Sequence, residues 1–212
     1  MISNRHNLPA PFVALFGRQQ YSKGASHWSV TQLVSPAKIA VLRSEHAEAI
    51  AAKEDLSDRF WALMGSNIHK ILEGATAEDH VVEERIHTEV HGMRISGQID
   101  LQRHQNGKVG IIDYKFTSVY SVSRPKPEWE QQLNAYADLL RKEKGLEVES
   151  LHVCAILRDW RLTDVTRRKV YPPAPVVMAE IPVWSYEDQT RWVEERVMGL
   201  MQASSALHMD EE

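Results

Sequence analysis

An Asn106-Gly107 dipeptide separates two runs of alternating polarity, residues 95–102 and 109–116. This feature constrains the fold more than any other in the chain. Both residues accept the left-handed backbone of a two-residue type I′ turn, whose twist matches that of the strands it joins. Such a turn sets the pairing. Gln105 faces Lys108, Gln102 faces Ile111, Asp100 faces Asp113 and Gln98 faces Lys115. The alternate row pairs Leu101 with Ile112, Ile99 with Tyr114 and Gly97 with Phe116. That row is apolar and is expected in the core, because strand side chains alternate between faces. The opposite row carries Gln98, Asp100, Asp113 and Lys115. Turn chemistry and hydrophobic alternation thus lead to the same register.

Directly opposed strand residues have Cβ atoms roughly 4.5–5.5 Å apart, and like charges so placed destabilise a sheet. A divalent cation removes that repulsion. Mg²⁺ takes one or two carboxylates and fills its remaining positions with water and phosphate oxygen. Lys115, two residues after Asp113 on the same row, carries its ammonium to the rim of such a site. This arrangement suits phosphodiester hydrolysis. The ion polarises a phosphoryl oxygen and acidifies water, and the lysine orients that water or stabilises developing charge. The competing reading makes Asp100 and Asp113 unrelated surface acids.

Around this hairpin the chain alternates between helical and strand periodicity. Ser29 is placed to cap a helix that runs to Leu42 with an interruption at Pro36. Residues 47–53 are a polar connector or an extension of that helix. Residues 55–73 read as one long helix, with Phe60, Met64, Ile68 and Leu72 on the buried face and Gly74 at its end. The neighbouring stripe is Trp61, Gly65 and His69. His69 is a candidate metal ligand, Glu73 can orient it, and the competing role is structural. An imidazole beside two carboxylates shifts preference towards Mn²⁺. Strands are expected at 82–91, 93–103 and 109–116. A polar loop follows at 117–127, then a helix at 128–144 ended by Gly145, strands at 148–158 and 176–184, and a last helix capped by Ser185. The domain plan is an irregular arm at 1–28, a single domain at 29–208 and an acidic tail at 209–212. The class is α/β, a mixed β-sheet flanked by helices.

Several functions are excluded or weakened. A single cysteine, Cys154, forbids an intrachain disulfide framework and a four-cysteine zinc or iron–sulfur site. It fits a reducing cytoplasm. No apolar run reaches the length of roughly 18 residues that a membrane span needs. There is no G-x-x-x-x-G-K-[ST] phosphate loop for ATP and no G-x-S-x-G elbow. The net charge of −4 counts against a nucleic-acid partner unless cations cluster locally. Arg158, Arg161, Arg167, Arg168 and Lys169 form such a cluster, with Arg124 and Lys126 elsewhere; with Trp160 it can stack on and neutralise DNA, and solvated surface charge is the competing reading. His87, Glu89 and His91 share a strand face and make a rival metal site. Glu83 and Glu84 open the first strand; either can add a carboxylate to the metal site, or both lie on a solvated edge.

Four ordered pieces resemble the PD-(D/E)XK nuclease superfamily, specifically its RecB-like exonuclease branch. They are the helix segment 65–73 with His69, Gly97-Gln98-Ile99-Asp100, Ile112-Asp113-Tyr114-Lys115, and Gln132-Leu133-Asn134-Ala135-Tyr136 as the Q-x-x-x-Y motif. The resemblance spans roughly residues 29–140. It implies a restriction-endonuclease-like core and hydrolysis of DNA with Mg²⁺ or Mn²⁺. Its metal set is His69, Asp100, Asp113 and the carbonyl of Phe116, with Lys115 catalytic. Gln132 and Tyr136 contact DNA phosphate or brace Lys115; core packing is their bland alternative. The chain departs from many relatives in lacking the iron–sulfur cysteines and a helicase motor. It is therefore similar to stand-alone nucleases carried by phages for recombination or repair. Such an enzyme acts on single-stranded DNA or duplex ends in a bacterial or phage-infected cytoplasm, with a recombination protein as a possible partner. The alternative is a catalytically weak member of the same fold that binds DNA or protein.

Overall fold

The computed structural model describes residues 3–16, 25–75, 78–124 and 126–209. β3 (Met93–Gln105) and β4 (Lys108–Thr117) form the expected hairpin. Asn106 and Gly107 both have left-handed φ, 52° and 77°. The ladder runs in the expected register from Gln105↔Lys108 to Leu101↔Ile112. β2 (His80–Val90) joins β3 through a second left-handed pair, His91 and Gly92. On its other edge β4 runs parallel to β5 (Glu147–Leu157), and β5 is antiparallel to β6 (Val176–Ile181). β1 (Trp28–Ser29) lies parallel to β3 at Trp28↔Ile95 and Ser29↔Ser96. The product is a six-stranded mixed sheet with helices packed against it, as expected.

A parallel β4–β5 connection needs a crossover, and α7 (Pro127–Lys144) supplies it. Pro127 sits in the first turn, where a missing N–H costs nothing. Glu128 and Glu130 start the helix; Arg141, Lys142 and Lys144 end it, each set complementing the helix dipole. Gly145, at φ 66°, closes it. Leu133, Tyr136 and Leu140 of α7 join Ile111, Leu151, Val153 and Ala155 in the main core. α9 (Tyr186–Met209) adds Val193, Val197 and Leu200. On the N-terminal side, Ser29 and Gln32 form a full capping box on α2 (Val30–Val34), and Pro36 separates it from α3 (Ala37–Glu45). Residues 47–53 form a helix of their own, α4 (Ala47–Lys53). Among the described residues no helix is long and apolar enough to cross a membrane.

Three expectations change. The long helix expected from residue 55 begins at Phe60, as α5 (Phe60–Glu73). Asp55 explains the delay. Its buried carboxylate accepts from Ser57 N and Oγ, Arg5 N and Ser3 Oγ. The Arg5 and Ser57 bonds, with that of Ser3, hold it well below the usual carboxylate range. A residue so engaged fixes a turn instead of a helix. It also ties down the N-terminal segment, which was expected to be irregular. That segment carries a bridge from Ser3 to Asp55 and a helix, α1 (Ala10–Phe16). Residues 210–212 of the acidic tail lie outside the described residues. The expected loop 117–127 holds a short helix, α6 (Val119–Ser123), and another, α8 (Leu162–Val165), follows β5.

The third change concerns the hairpin's faces. Val109 and Ile111 are fully buried, whereas Ile112, Tyr114 and Phe116 are only partly so. The main core therefore lies on the Asp113 side of β4, and the expected apolar row faces α5. In β3 the buried positions Ile95, Gly97 and Ile99 give way to Asp100 and Gln102. The switch falls where Glu83, at φ 51°, interrupts the β2–β3 ladder between Glu84↔Ile99 and Val82↔Leu101. The β3–β4 ladder also stops at Leu101↔Ile112, so the expected pairs Asp100–Asp113 and Gln98–Lys115 do not form. Beyond that point β3 turns to β1.

Gly97 locks this arrangement to α7. A Cβ there would sit 2.9 Å from the Tyr136 ring and 3.3 Å from Leu139 Cδ2. Overpacking of this kind costs about 1–3 kcal/mol. Gly97→Ala is expected to lose that much stability in urea unfolding; a change within experimental error would show that α7 is free to shift.

Candidate functional site

Where β3 leaves β4, the sheet opens into a cavity of about 830 Å³. Its walls come from α2, α5, β2, β3, β4 and α7, and include His69, Glu83, Gln98, Asp100, Asp113, Lys115, Gln132 and Tyr136. The four motifs of the sequence thus meet at one place. α5, which packs on the partly buried side of β4, delivers His69; at Gly65 even a Cβ would meet only ordinary contact, 4.0 Å from Phe116 Cβ. The His69 ring meets Tyr114 edge-on, with centroids 6.1 Å apart. α7 delivers Gln132 and Tyr136 from one helix face, since they are four residues apart.

Two linked groups fill the site. In the first, His69 Nδ1 lies 3.3 Å from Asp100 Oδ1 and 3.5 Å from Glu83 Oε1. The other oxygen of Asp100 accepts from the Tyr114 backbone N–H at 2.7 Å, which replaces the missing strand pairing. Glu83 Oε2 accepts from Gln98 Nε2 at 2.5 Å, and Gln98 Oε1 accepts from Arg85 at 2.6 Å. In the second group, Lys115 Nζ lies 2.7 Å from Asp113 Oδ2 and donates to Gln132 Oε1 at 3.0 Å. Gln132 Nε2 in turn donates to the Tyr136 hydroxyl at 2.8 Å.

The protonation states follow from these contacts. Hydrogen bonds to Asp100 and Glu83 raise the His69 pKa to about 10, against the opposing effect of burial. His69 is therefore an imidazolium that neutralises the two acids. Burial raises the Asp113 pKa to about 6, although Lys115 pulls it down; the Asp100 charge adds to the rise. A buried carboxylate held this high is poorly compensated, and a cation would stabilise it.

The donor set fits a divalent metal ion. His69, Glu83 and Asp100 each offer an atom, and these atoms lie within 4.8 Å of one another. Ligands at about 2.1 Å around one octahedral ion span about that distance. Asp113 opens onto the same cavity but is turned to Lys115. Glu83 is the ligand candidate that the sequence left unresolved against Glu84. The left-handed backbone at Glu83 aims it inward, while Glu84 pairs with Lys144 and Gln102. Phe116 is not among the cavity-lining residues; its ring packs on Trp61. Glu73 lines the cavity but makes no hydrogen bond to His69 among the described residues. The His87, Glu89 and His91 face does not gather into a metal-like cluster among the described residues; His87 contacts Ser26.

A metal at His69 must displace its proton, because only neutral imidazole ligates. The raised pKa of His69 means the proton is present at neutral pH. Apparent Mn²⁺ affinity is expected to rise with pH up to about 10, by up to roughly tenfold per unit, for the one proton displaced. Calorimetric titration in two buffers of different ionisation enthalpy should register that proton release. Affinity independent of pH from 6 to 9 would place the ion away from His69.

A sequence model of the PD-(D/E)XK nuclease superfamily matches residues 20–201. No curated protein gives a significant match. Among solved structures, the crystal structure of SSO0001 is 19% identical with a TM-score of 0.57, covering 89% of this chain and 82% of that one. A "Putative exonuclease" from Eubacterium rectale is 12% identical with a TM-score of 0.41, covering 92% of this chain and 73% of that one, a likeness too partial to bear on fold or function.

Proposed function

The chain belongs to the PD-(D/E)XK nuclease superfamily, and we propose that it is a divalent-metal-dependent deoxyribonuclease of the RecB-like branch that hydrolyses DNA phosphodiesters in the cavity between α5 and α7. The observation that carries this reading is the convergence of His69, Glu83 and Asp100 with the Asp113–Lys115 pair in one cavity.

His69 and Asp100, with Glu83 beside them, would hold Mg²⁺ or Mn²⁺, and Asp113, which opens onto the same cavity, would complete the set once released from Lys115. When bound, the ion supplies electrophilic activation of the phosphoryl group and makes water nucleophilic at neutral pH. The chain's own residues supply position and charge. Tyr114 N–H fixes one oxygen of Asp100 and leaves the other facing the cavity. Lys115 places a positive charge beside Asp113, where it orients water and offsets charge that accumulates as the phosphate is attacked. Gln132 is a positioning residue: it holds Lys115, and Tyr136 holds Gln132. That chain keeps the ammonium in place once a cation competes for Asp113.

The enzyme is an exonuclease, or a nuclease acting on single strands, in DNA recombination or repair. The motif set supports this choice. The lone cysteine fits a cytoplasmic setting.

End-labelled linear DNA and closed circles, single- and double-stranded, test the reading. Linear DNA is expected to be degraded with Mn²⁺ or Mg²⁺ and preserved in EDTA, with circles spared. Asp113→Ala and Lys115→Ala should each slow turnover by about 10²-fold or more. Gln132→Ala should lower kcat by roughly tenfold with little change in KM, since its effect passes through Lys115. Cleavage of circles would make the enzyme an endonuclease. An Asp113→Ala protein as fast as the parent would remove the hydrolytic assignment.

A further inference from the structure

A strip of exposed aromatic and arginine side chains leads away from the cavity along the ends of β4 and β5. It starts at Trp61, one residue before the cavity-lining Ala62 and 52% exposed. Trp61 packs against Phe116, the residue after Lys115, with centroids 6.1 Å apart. The Arg158 guanidinium lies 4.8 Å from the Trp61 ring centroid. Arg158 N–H donates to Thr117 O at 2.9 Å, which fixes it at the strand ends. The next residue, Asp159, accepts from Val119 N–H at 2.7 Å and so anchors α6. α6 presents Tyr120, 62% exposed, with the Arg124 guanidinium 5.3 Å from its ring centroid. A second cavity of about 390 Å³ opens beside Tyr120, with Arg161 in its wall.

We propose that this strip is a track for single-stranded DNA passing to or from the hydrolytic cavity. Trp61 and Tyr120 stack bases, and Arg158, Arg124 and Arg161 meet phosphates. The inference rests on the nuclease reading and adds the strand preference of that same site. Unpaired bases have free faces that stack on aromatic rings, whereas a duplex keeps those faces covered. Arg124, Arg158 and Arg161 make no ion pair with a carboxylate among the described residues. The acids within the strip are occupied: Asp159 by the Val119 N–H and Asp164 by Arg168 at 3.4 Å. A chain of net charge −4 thus places three arginines without a salt bridge among the described residues beside its hydrolytic cavity, two of them, Arg158 and Arg124, stacked on the exposed rings of Trp61 and Tyr120.

Fluorescence anisotropy with a dye-labelled oligothymidylate, about twenty nucleotides long, and a duplex of equal length tests this in EDTA, where no cutting occurs. The parent should bind the single strand more tightly than the duplex. Trp61→Ala and Tyr120→Ala should each weaken single-strand binding by roughly five- to a hundredfold, and Arg158→Gln should also flatten its salt dependence. Tyr120 is the safer variant, since its exposed ring carries little of the core. Equal binding of strand and duplex by the parent, or unchanged single-strand binding in Tyr120→Ala and Arg158→Gln, would overturn the track. Hydrolysis of thymidine 5′-(p-nitrophenyl phosphate) by the parent with Mn²⁺ is read separately. Its absence would defeat the nuclease reading while leaving the binding result to stand or fall alone.

Discussion

Two aspartates on neighbouring strands cannot both be ionised and paired side by side without a cation, and this repulsion shapes the whole site. The hairpin brings Asp100 and Asp113 towards each other through its turn, but the ladder ends one step short, at Leu101↔Ile112. Each carboxylate then takes a substitute partner. Asp100 accepts from the Tyr114 N–H and faces the His69 imidazolium, and Asp113 pairs with Lys115. β3 uses the freed edge to pair with β1 at Ile95 and Ser96. Among the described residues, the stretch between the two partners, residues 97–100, has no strand beside it on that edge, and the cavity forms there. The break in the ladder and the opening of the cavity thus coincide.

The rest of the fold holds that opening in shape. The crossover from β4 to β5 is obligatory for a parallel pair, and it lays α7 across the buried side of β4. Residues on that helix serve both purposes. Leu133 and Leu140 fill the core, while Gln132 and Tyr136 reach the lysine. Gly97 sets how closely the helix and sheet can approach. α5 closes the other side and brings His69 to the cavity. Charge balance follows the same economy. The His69 imidazolium lies against Asp100 and Glu83, and the Lys115 ammonium against Asp113, so each acid has a cation beside it.

Much of this was legible in the residues. Asn106-Gly107 dictated the register, and the spacing of Phe60, Met64, Ile68 and Leu72 announced α5. The four motifs contain His69, Asp100, Asp113, Lys115, Gln132 and Tyr136, all of which line the cavity. Local patterns could not reveal where the ladder would stop, because that depends on competition between β4 and β1 for one edge of β3. The expected core face is wrong on β4, where Val109 and Ile111 are buried and Ile112, Tyr114 and Phe116 only partly so. Alternation shows which residues share a face but not which face meets the larger layer. Glu83 was indistinguishable from Glu84 in the sequence, since a left-handed φ at a non-glycine residue inside a strand carries no compositional mark. Asp55 hid its role for a related reason: its partners, Ser3 and Arg5, lie far away in the chain.

We propose that Asp100 and Asp113 close on one divalent ion together with His69. Anomalous diffraction from crystals grown with Mn²⁺ tests it most directly. The account predicts a peak at about 2.1–2.3 Å from His69 Nδ1 or Nε2 and from one oxygen of each aspartate, with Lys115 released from Asp113 and still held by Gln132. A peak bound elsewhere, or one at His69 and Asp100 with Asp113 still paired to Lys115 and out of coordination range, would contradict it.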